Sequence, residues 1–369
     1  MIGIPLIKIL LLKYRNIGDV LLATALIDNL KSMYPDSEID FSVNKGCEEM
    51  LTLNPEVNKV ICYDRQKVKK KSFLARIAEE VRFALRIRKH HYDLVINLTE
   101  GERGALLAFF SGAKKKLGYK VRRGIFSKVK VFDAIANDKV LQHTVNKDLQ
   151  FIQLLGGKIK TKKVGLFFSA TSKNKIDGLL KEHGINGFVH LHPVSRWMFK
   201  CWSDERMAEI IDYIYQVKGG DVVVTSSQDK IEMERVHNIL ELCKSEPISF
   251  SGQLSLKELA SLSARSDLFL GVDSAPMHMA AALNVPVIAL FGASEPIIWG
   301  PWNNDMTTQR DYQNKDGVQE NGRHHIISNM DHTLYFKKGI KRSVGMDNIS
   351  AEQVKGVINE CAKKYTSLF

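Results

Sequence analysis

The sequence predicts an α/β protein of two domains, each a mostly parallel sheet covered by helices on both faces. Three observations carry this. Short apolar runs alternate with helical patterns along almost the whole chain, the mark of repeated strand–helix–strand units. The alternation runs twice, once up to Gly156 and again from Gly187. A length of 369 residues exceeds one ordinary core and suits two. The expected division is 1–160, 175–348 and a closing segment 349–369.

In order, residues 7–12 read as a buried first strand. The apolar start 1–13 carries Lys8 inside it. A secretory signal places its charge ahead of the apolar core, so a strand is expected there rather than a leader. A helix over about 19–33 follows, then a strand at 39–43, a helix near 47–53 and a strand at 57–63. Residues 73–89 are helical, with Phe73, Ile77, Val81, Ala84, Leu85 and Ile87 spaced between basic residues. Next come a strand at 92–97, a helix at 102–111, a strand at 129–132, and a helix from Val145 that stops at Gly156 and Gly157. The second half repeats the scheme. Strands at 188–192, 221–225, 248–250, 268–272 and 285–291 alternate with helices from Ser203, Asp229, Ser255 and Pro276. From 299 to 346 the periodicity is lost and a long loop is expected. A helix over 350–364 closes the chain.

Composition excludes several classes. The apolar content of 44% and charged content of 25% are those of a soluble globular protein. The five cysteines are scattered with no CxxC pair, which argues for a reducing compartment and against structural zinc. The longest uncharged run, 274–294, is broken by prolines and a glycine and is no membrane span. The net charge of +12 is concentrated: residues 61–130 hold 19 Lys/Arg against 6 Asp/Glu. Such asymmetry points to an anionic partner for the N-terminal half, or to solvated helix faces.

The chemistry-bearing residues fall where strands end, the place where open α/β sheets bind ligands. After the first strand, Lys13-Tyr-Arg-Asn-Ile-Gly18-Asp19 lacks the GxGxxG fingerprint of dinucleotide binders. Asp19 either caps the following helix or stands at the mouth of the sheet. After the strand at 188–192, Ser195, Arg196 and Lys200 make a phosphate cradle, or a basic loop anchored by Trp197 and Trp202. Asp229 follows the next strand, placed for a ribose or for a helix start. Leu254 can floor an adenine or simply pack. After the strand at 268–272, Asp273, Ser274 and Ala275 lead into a helix with Pro276 in its first turn and His278 one turn in. A helix N-terminus is an anion site. Four polar strand ends in one domain favour a phosphate-containing ligand.

Lys13…Gly18-Asp19-Val-Leu-Leu, Ser195…Lys200-Cys-Trp202 and Gly271-Val-Asp-Ser-Ala-Pro-Met-His278 together resemble glycosyltransferase family 9, the lipopolysaccharide heptosyltransferases. The likeness runs over nearly the whole chain, and its wording is nearest to the members that add the branch heptose of the inner core. It implies a GT-B fold, with two Rossmann-like domains facing across a cleft and a final helix crossing back to the N-terminal domain. It implies ADP-heptose in the C-terminal domain and a lipid-linked, phosphorylated core acceptor in the N-terminal one. By resemblance Asp19 is the general base and Lys200 the group that neutralises the leaving diphosphate. Ser195, with Arg196 beside it, Ser274, Ala275 and His278 are the further diphosphate and sugar contacts. Asp273 holds the heptose hydroxyls, Asp229 the ribose and Leu254 the adenine. Family members commonly carry Thr-Gly where this chain has Ser274-Ala275. The resemblance assigns no acceptor residues.

No Asp-x-Asp triplet occurs, so neither a metal nor a cofactor is expected, Lys200 and a helix N-terminus taking the metal's place. The expected setting is the cytoplasm, peripheral on the inner face of the inner membrane, with no nucleic-acid partner. The enzymes of the first and second core heptoses, or another core sugar transferase, would share this donor site. A non-catalytic nucleotide-sugar-binding paralogue has Asp19, Lys200, Asp273 and His278 counting against it.

Overall fold

The computed structural model describes residues 7–217, 219–337 and 339–364. The part of the first-strand reading that falls on residues 1–6 lies outside them. The chain divides into two compact units, Met1–Phe167 and Phe168–Phe369.

The first unit is a six-stranded parallel sheet: β1 (Lys8–Lys13), β2 (Glu38–Asn44), β3 (Lys59–Tyr63), β4 (Leu94–Asn97), β5 (Lys115–Gly118) and β6 (Ala134–Ile135). Their spatial order is β3-β2-β1-β4-β5-β6. β1 is central, in parallel register with β2 on one side and β4 on the other. Leu10 and Leu12 from β1 and Val95 from β4 meet Phe83, Ala84 and Ile87 of the helix Phe73–Arg88 in one core.

The second unit repeats the scheme with β7 (Phe188–His192), β8 (Asp221–Val224), β9 (Ile248–Ser249), β10 (Leu268–Val272), β11 (Val287–Phe291), β12 (Gly317–Asn321) and β13 (His324–Ser328). Their order is β12-β13-β11-β10-β7-β8-β9, parallel except for β12. Each sheet therefore reverses its winding beside its first strand, between β1 and β4 and between β7 and β10. Loops leave those neighbouring strands in opposite directions, which opens a crevice at their carboxyl ends.

Several expectations need correction. The helix over 19–33 is two helices, Ile17–Leu22 and Ala25–Met33. Between them the Thr24 hydroxyl donates to the Leu21 carbonyl at 2.7 Å and accepts the Gly165 N–H at 2.9 Å. A side-chain hydroxyl that competes for backbone groups breaks the helical ladder. The helix near 47–53 is a single 3₁₀ turn, Glu48–Met50. The strand expected at 129–132 is absent; β5 and β6 stand on either side of it, and Lys115 and Lys116 disguise β5. The helix Ala170–Glu182 was not expected.

The loop expected over 299–346 is irregular only up to 316; beyond that it holds four strands. β12 and β13 form a hairpin turned at Gly322, whose φ is +62°. A second hairpin joins β14 (Leu334–Lys337) to β15 (Ile340–Ser343). β13 is wholly buried, yet it begins with two histidines and so lacks an apolar signature. The closing helix Ala351–Lys364, expected to cross back to the first domain, sets its apolar face into the second unit. Val354, Val357, Ile358 and Cys361 lie in that unit's core, and Tyr213 donates to Asn359 at 2.8 Å. The helix Phe73–Arg88 is present, but most of the stripe that predicts it points outward: Phe73, Ile77, Val81 and Leu85 are exposed.

Candidate active site

The site in the second unit begins with β10. All five of its residues are buried, paired in parallel with β7 and β11. Gly271 lets β7 approach: a Cβ there would lie 2.7 Å from the His192 carbonyl oxygen. Asp273 follows at the strand's end. Ser274 then takes the N-cap position of the helix Ala275–Ala282, in extended backbone, with Pro276 in the first turn. The helix N-terminus thus opens at the β7/β10 crevice.

The loop after β7 crosses the same crevice and is tied at several points. The Ser195 N–H donates to Cys201 Sγ at 3.2 Å. Trp202 is buried, and its indole N–H donates to the Ile349 carbonyl at 3.0 Å. Arg235 donates to the Trp202 carbonyl at 2.5 Å and to Asp204 at 2.7 Å. Trp202 anchors this loop; Trp197 is half exposed and does not. β15 packs on the turn Met198–Lys200, with Lys341 Nζ 5.6 Å from the Phe199 ring centre.

Held this way, Lys200 Nζ lies 2.5 Å from Asp273 Oδ2, and His278 Nε2 lies 4.0 Å from Asp273 Oδ1. Asp273 and His278 are buried; Lys200 is partly exposed. An ammonium has three donors, so the contact with Asp273 leaves Lys200 donors for a ligand. The Ser274 hydroxyl is buried without a partner among the described residues. So is that of Ser294, just beyond β11, a residue that sequence reading did not single out although Gly292 and Glu295 flank it. Ser195 is buried, its hydroxyl accepting the Trp197 N–H at 3.3 Å.

The remaining residues expected to meet the donor follow strand ends of the same sheet. Asp229 caps the helix Lys230–Leu242, accepting from Ile231 and Glu232 N–H at 2.9 and 3.4 Å. Leu254 is buried ahead of the helix Leu256–Arg265. Arg196 is exposed, its guanidinium 5.9 Å from the Trp197 ring centre. Beneath them, Thr225 Oγ1 lies 2.8 Å from His190 Nε2 and 2.9 Å from His192 Nδ1. Burial drives the His190 pKa well below its usual value and that of His192 to about 3, so both rings are neutral. One hydroxyl proton serves two rings, so Thr225 donates to one and accepts from the other.

In the first unit, Asp19 stands after β1, inside the helix Ile17–Leu22 rather than at its N-cap. Its carboxylate accepts the Asn16 N–H at 3.2 Å and lies 3.4 Å from Arg15 Nε. Asn16 is the N-cap. Beside it, Lys13 is buried and donates to Asp148 at 2.8 Å, while the Tyr119 hydroxyl donates to the other Asp148 oxygen at 2.7 Å. Tyr14 N–H donates to Thr99 Oγ1, just past β4, at 3.0 Å.

Among the described residues no cluster of three or more His, Cys, Asp or Glu is placed to hold a metal ion. No helix among them is long and apolar enough to cross a membrane.

Known proteins share this architecture. The chain is 32% identical over 295 residues to an Escherichia coli protein named lipopolysaccharide heptosyltransferase 3, covering 78% of this chain and 84% of that one. A family 9 glycosyltransferase structure from Veillonella parvula superposes with a TM-score of 0.79 at 22% identity, over 97% of each chain. The structure of E. coli ADP-heptose lipopolysaccharide heptosyltransferase II superposes at 0.72 with 20% identity, over 97% of this chain and 99% of that one. Two parallel α/β units with these neighbours make a GT-B fold of two Rossmann-like domains. The family model for glycosyltransferase family 9 (heptosyltransferase) matches residues 81–325, more than half the chain, and the chain belongs to that family.

Proposed function

We propose that this protein transfers L-glycero-D-manno-heptose from ADP-heptose to the inner core of lipopolysaccharide, with inversion, as the enzyme of the branch heptose. The observation that carries the reading is Lys200 held on Asp273 beside a helix N-terminus, at the β7/β10 crevice of a family 9 chain. A cation and a row of backbone N–H groups at one strand end suit a diphosphate that gains charge as it leaves. Donors aimed at developing charge are worth about 10²–10³ in rate. In this reading Ser195, Ser274, Ala275 and His278 complete the diphosphate and sugar contacts. Asp273 holds Lys200 and meets heptose hydroxyls; Asp229 and Leu254 serve ribose and adenine, with Arg196 at the rim.

A sugar hydroxyl is a weak nucleophile at neutral pH, and a positioned base contributes about 10²–10⁴-fold. Asp19 takes that role, oriented by Arg15 and the Asn16 N–H. With Lys200 and the helix N-terminus stabilising the leaving group, the reaction needs no metal. The acceptor is a lipid-linked phosphorylated core, and the enzyme works in the cytoplasm on the anionic inner-membrane surface.

Asp19→Ala, assayed with ADP-heptose and a truncated core acceptor, is expected to lose at least about a hundredfold in kcat with donor affinity kept. Turnover near the parent's would refute the base assignment. The same assay with acceptors bearing no, one or two heptoses separates the branch enzyme from those of the first and second heptoses, a reading favoured only by a shared donor site.

A further inference from the structure

The helix Phe73–Arg88 carries an apolar face that the fold leaves uncovered. Phe73, Leu74, Ile77, Val81 and Leu85 are 47 to 77% exposed. At 3.6 residues per turn they fill an arc of roughly 120°. The helix is held to the sheet chiefly by a different side, through Phe83 and Ile87, which lie outside that arc. It packs on the helix Glu102–Phe110, which in turn meets the turn Ile125–Lys128. Those neighbours also carry exposed apolar side chains, Phe109, Phe110 and Ile125. Apolar patches of this extent on a folded chain mark an interaction surface.

The charge around the patch identifies the partner. Glu79 is paired with Lys71 and Arg82, and Glu80 with Arg103. Arg76, Arg86 and Arg88 of the same helix, and Lys89 at its C-cap, have no carboxylate partner among the described residues. Residues 61–130 as a whole hold 19 Lys/Arg and 6 Asp/Glu. A second copy of the chain would bring the same excess charge against it, which repels. An exposed apolar helical face set in so basic a segment suits an element that lies in an anionic lipid interface.

We infer that the exposed face of Phe73–Arg88, with Phe109, Phe110 and Ile125, is where this protein inserts into an anionic membrane. This goes beyond surface electrostatics: side chains enter the acyl boundary and hold the enzyme where a lipid-linked acceptor is presented. It rests on the proposed membrane setting but not on the donor chemistry.

The test is co-sedimentation of the full chain with vesicles of phosphatidylethanolamine and phosphatidylglycerol, and with phosphatidylcholine alone. The parent is expected to bind the anionic vesicles. The variant Leu74→Gln/Ile77→Gln/Val81→Gln, altered only at exposed positions, is expected to lose at least about tenfold in partitioning. Its turnover on a soluble, delipidated core oligosaccharide should equal the parent's. Equal vesicle binding by parent and variant overturns the inference, as does a parent that ignores anionic vesicles. A parental dimer that the variant dissociates makes the face a protein interface instead. Lost turnover on the soluble acceptor makes it an acceptor site. Absent turnover in the parent would sink the transferase reading while leaving the vesicle result to stand.

Discussion

Ser274 separates what a residue does for stability from what it does for binding. Its hydroxyl is buried, without a protein partner among the described residues, at the start of a helix and beside Asp273. A buried hydroxyl that makes no hydrogen bond contributes nothing to folding and costs its desolvation. Ser274→Ala is therefore expected to leave the melting temperature unchanged or slightly raised. It should weaken ADP-heptose binding about tenfold, one lost hydrogen bond to a charged oxygen. Calorimetry of unfolding and donor titration on the same variant check both halves; a destabilised variant with parental affinity would reverse the assignment. At this scale the sequence was most informative. Lys200 is 73 and 78 residues from Asp273 and His278, yet the two segments both follow a strand end that its apolar run announced. The role of Asp19 was less legible, because an aspartate at a helix start reads alike as cap and as base. The structure makes it the third residue after the Asn16 N-cap and the acidic member of a capping box, its carboxylate accepting the Asn16 N–H, so it caps the helix whatever chemistry it also does.

At the scale of elements, what a strand excludes matters as much as what it holds. A Cβ on Gly271 would meet the His192 carbonyl at 2.7 Å and the Phe269 ring at 2.9 Å. The first neighbour is backbone and cannot rotate away. Gly271→Ala should part β7 from β10 at the crevice, costing about 1–3 kcal/mol of stability, and displace Lys200 from Asp273. The expected signature is a donor KM raised more than the melting temperature is lowered. Parental donor affinity would show that the crevice tolerates the strain. The strands of both sheets were readable because parallel strands buried on both faces are continuous apolar runs. β5, β6, β12 and β13 escaped: lysines interrupt β5, histidines open β13, β6 is two residues long and β12 is polar. The outward stripe of Phe73–Arg88 misleads for a related reason: helical spacing reports that one face is apolar, not which face the fold covers.

At the scale of the molecule, the second unit carries an acid sensitivity that follows from buried imidazoles. His324 is fully buried in β13 with neither ring nitrogen hydrogen-bonded among the described residues. Burial lowers its pKa to about 3, as it does for His192. The unfolded chain titrates near 6.5. Between those values the unfolded state binds a proton that the folded state refuses, so stability rises with pH across the window. It is complete above about 6.5 and is lost progressively as pH falls toward the folded value. At pH 5.5 each such histidine costs about 1–1.5 kcal/mol relative to neutral pH. Both lie in the second unit, and His190 adds to the effect in the same direction. Calorimetry between pH 7.5 and 5.5 should therefore show a marked fall in the melting temperature of that unit. His324→Leu removes one of the titrating groups together with its unpaired nitrogens. It should raise stability at both pH values and by about 1–1.5 kcal/mol more at the lower one. A variant whose stability falls with acid as steeply as the parent's would mean that the ring in β13 does not set this dependence.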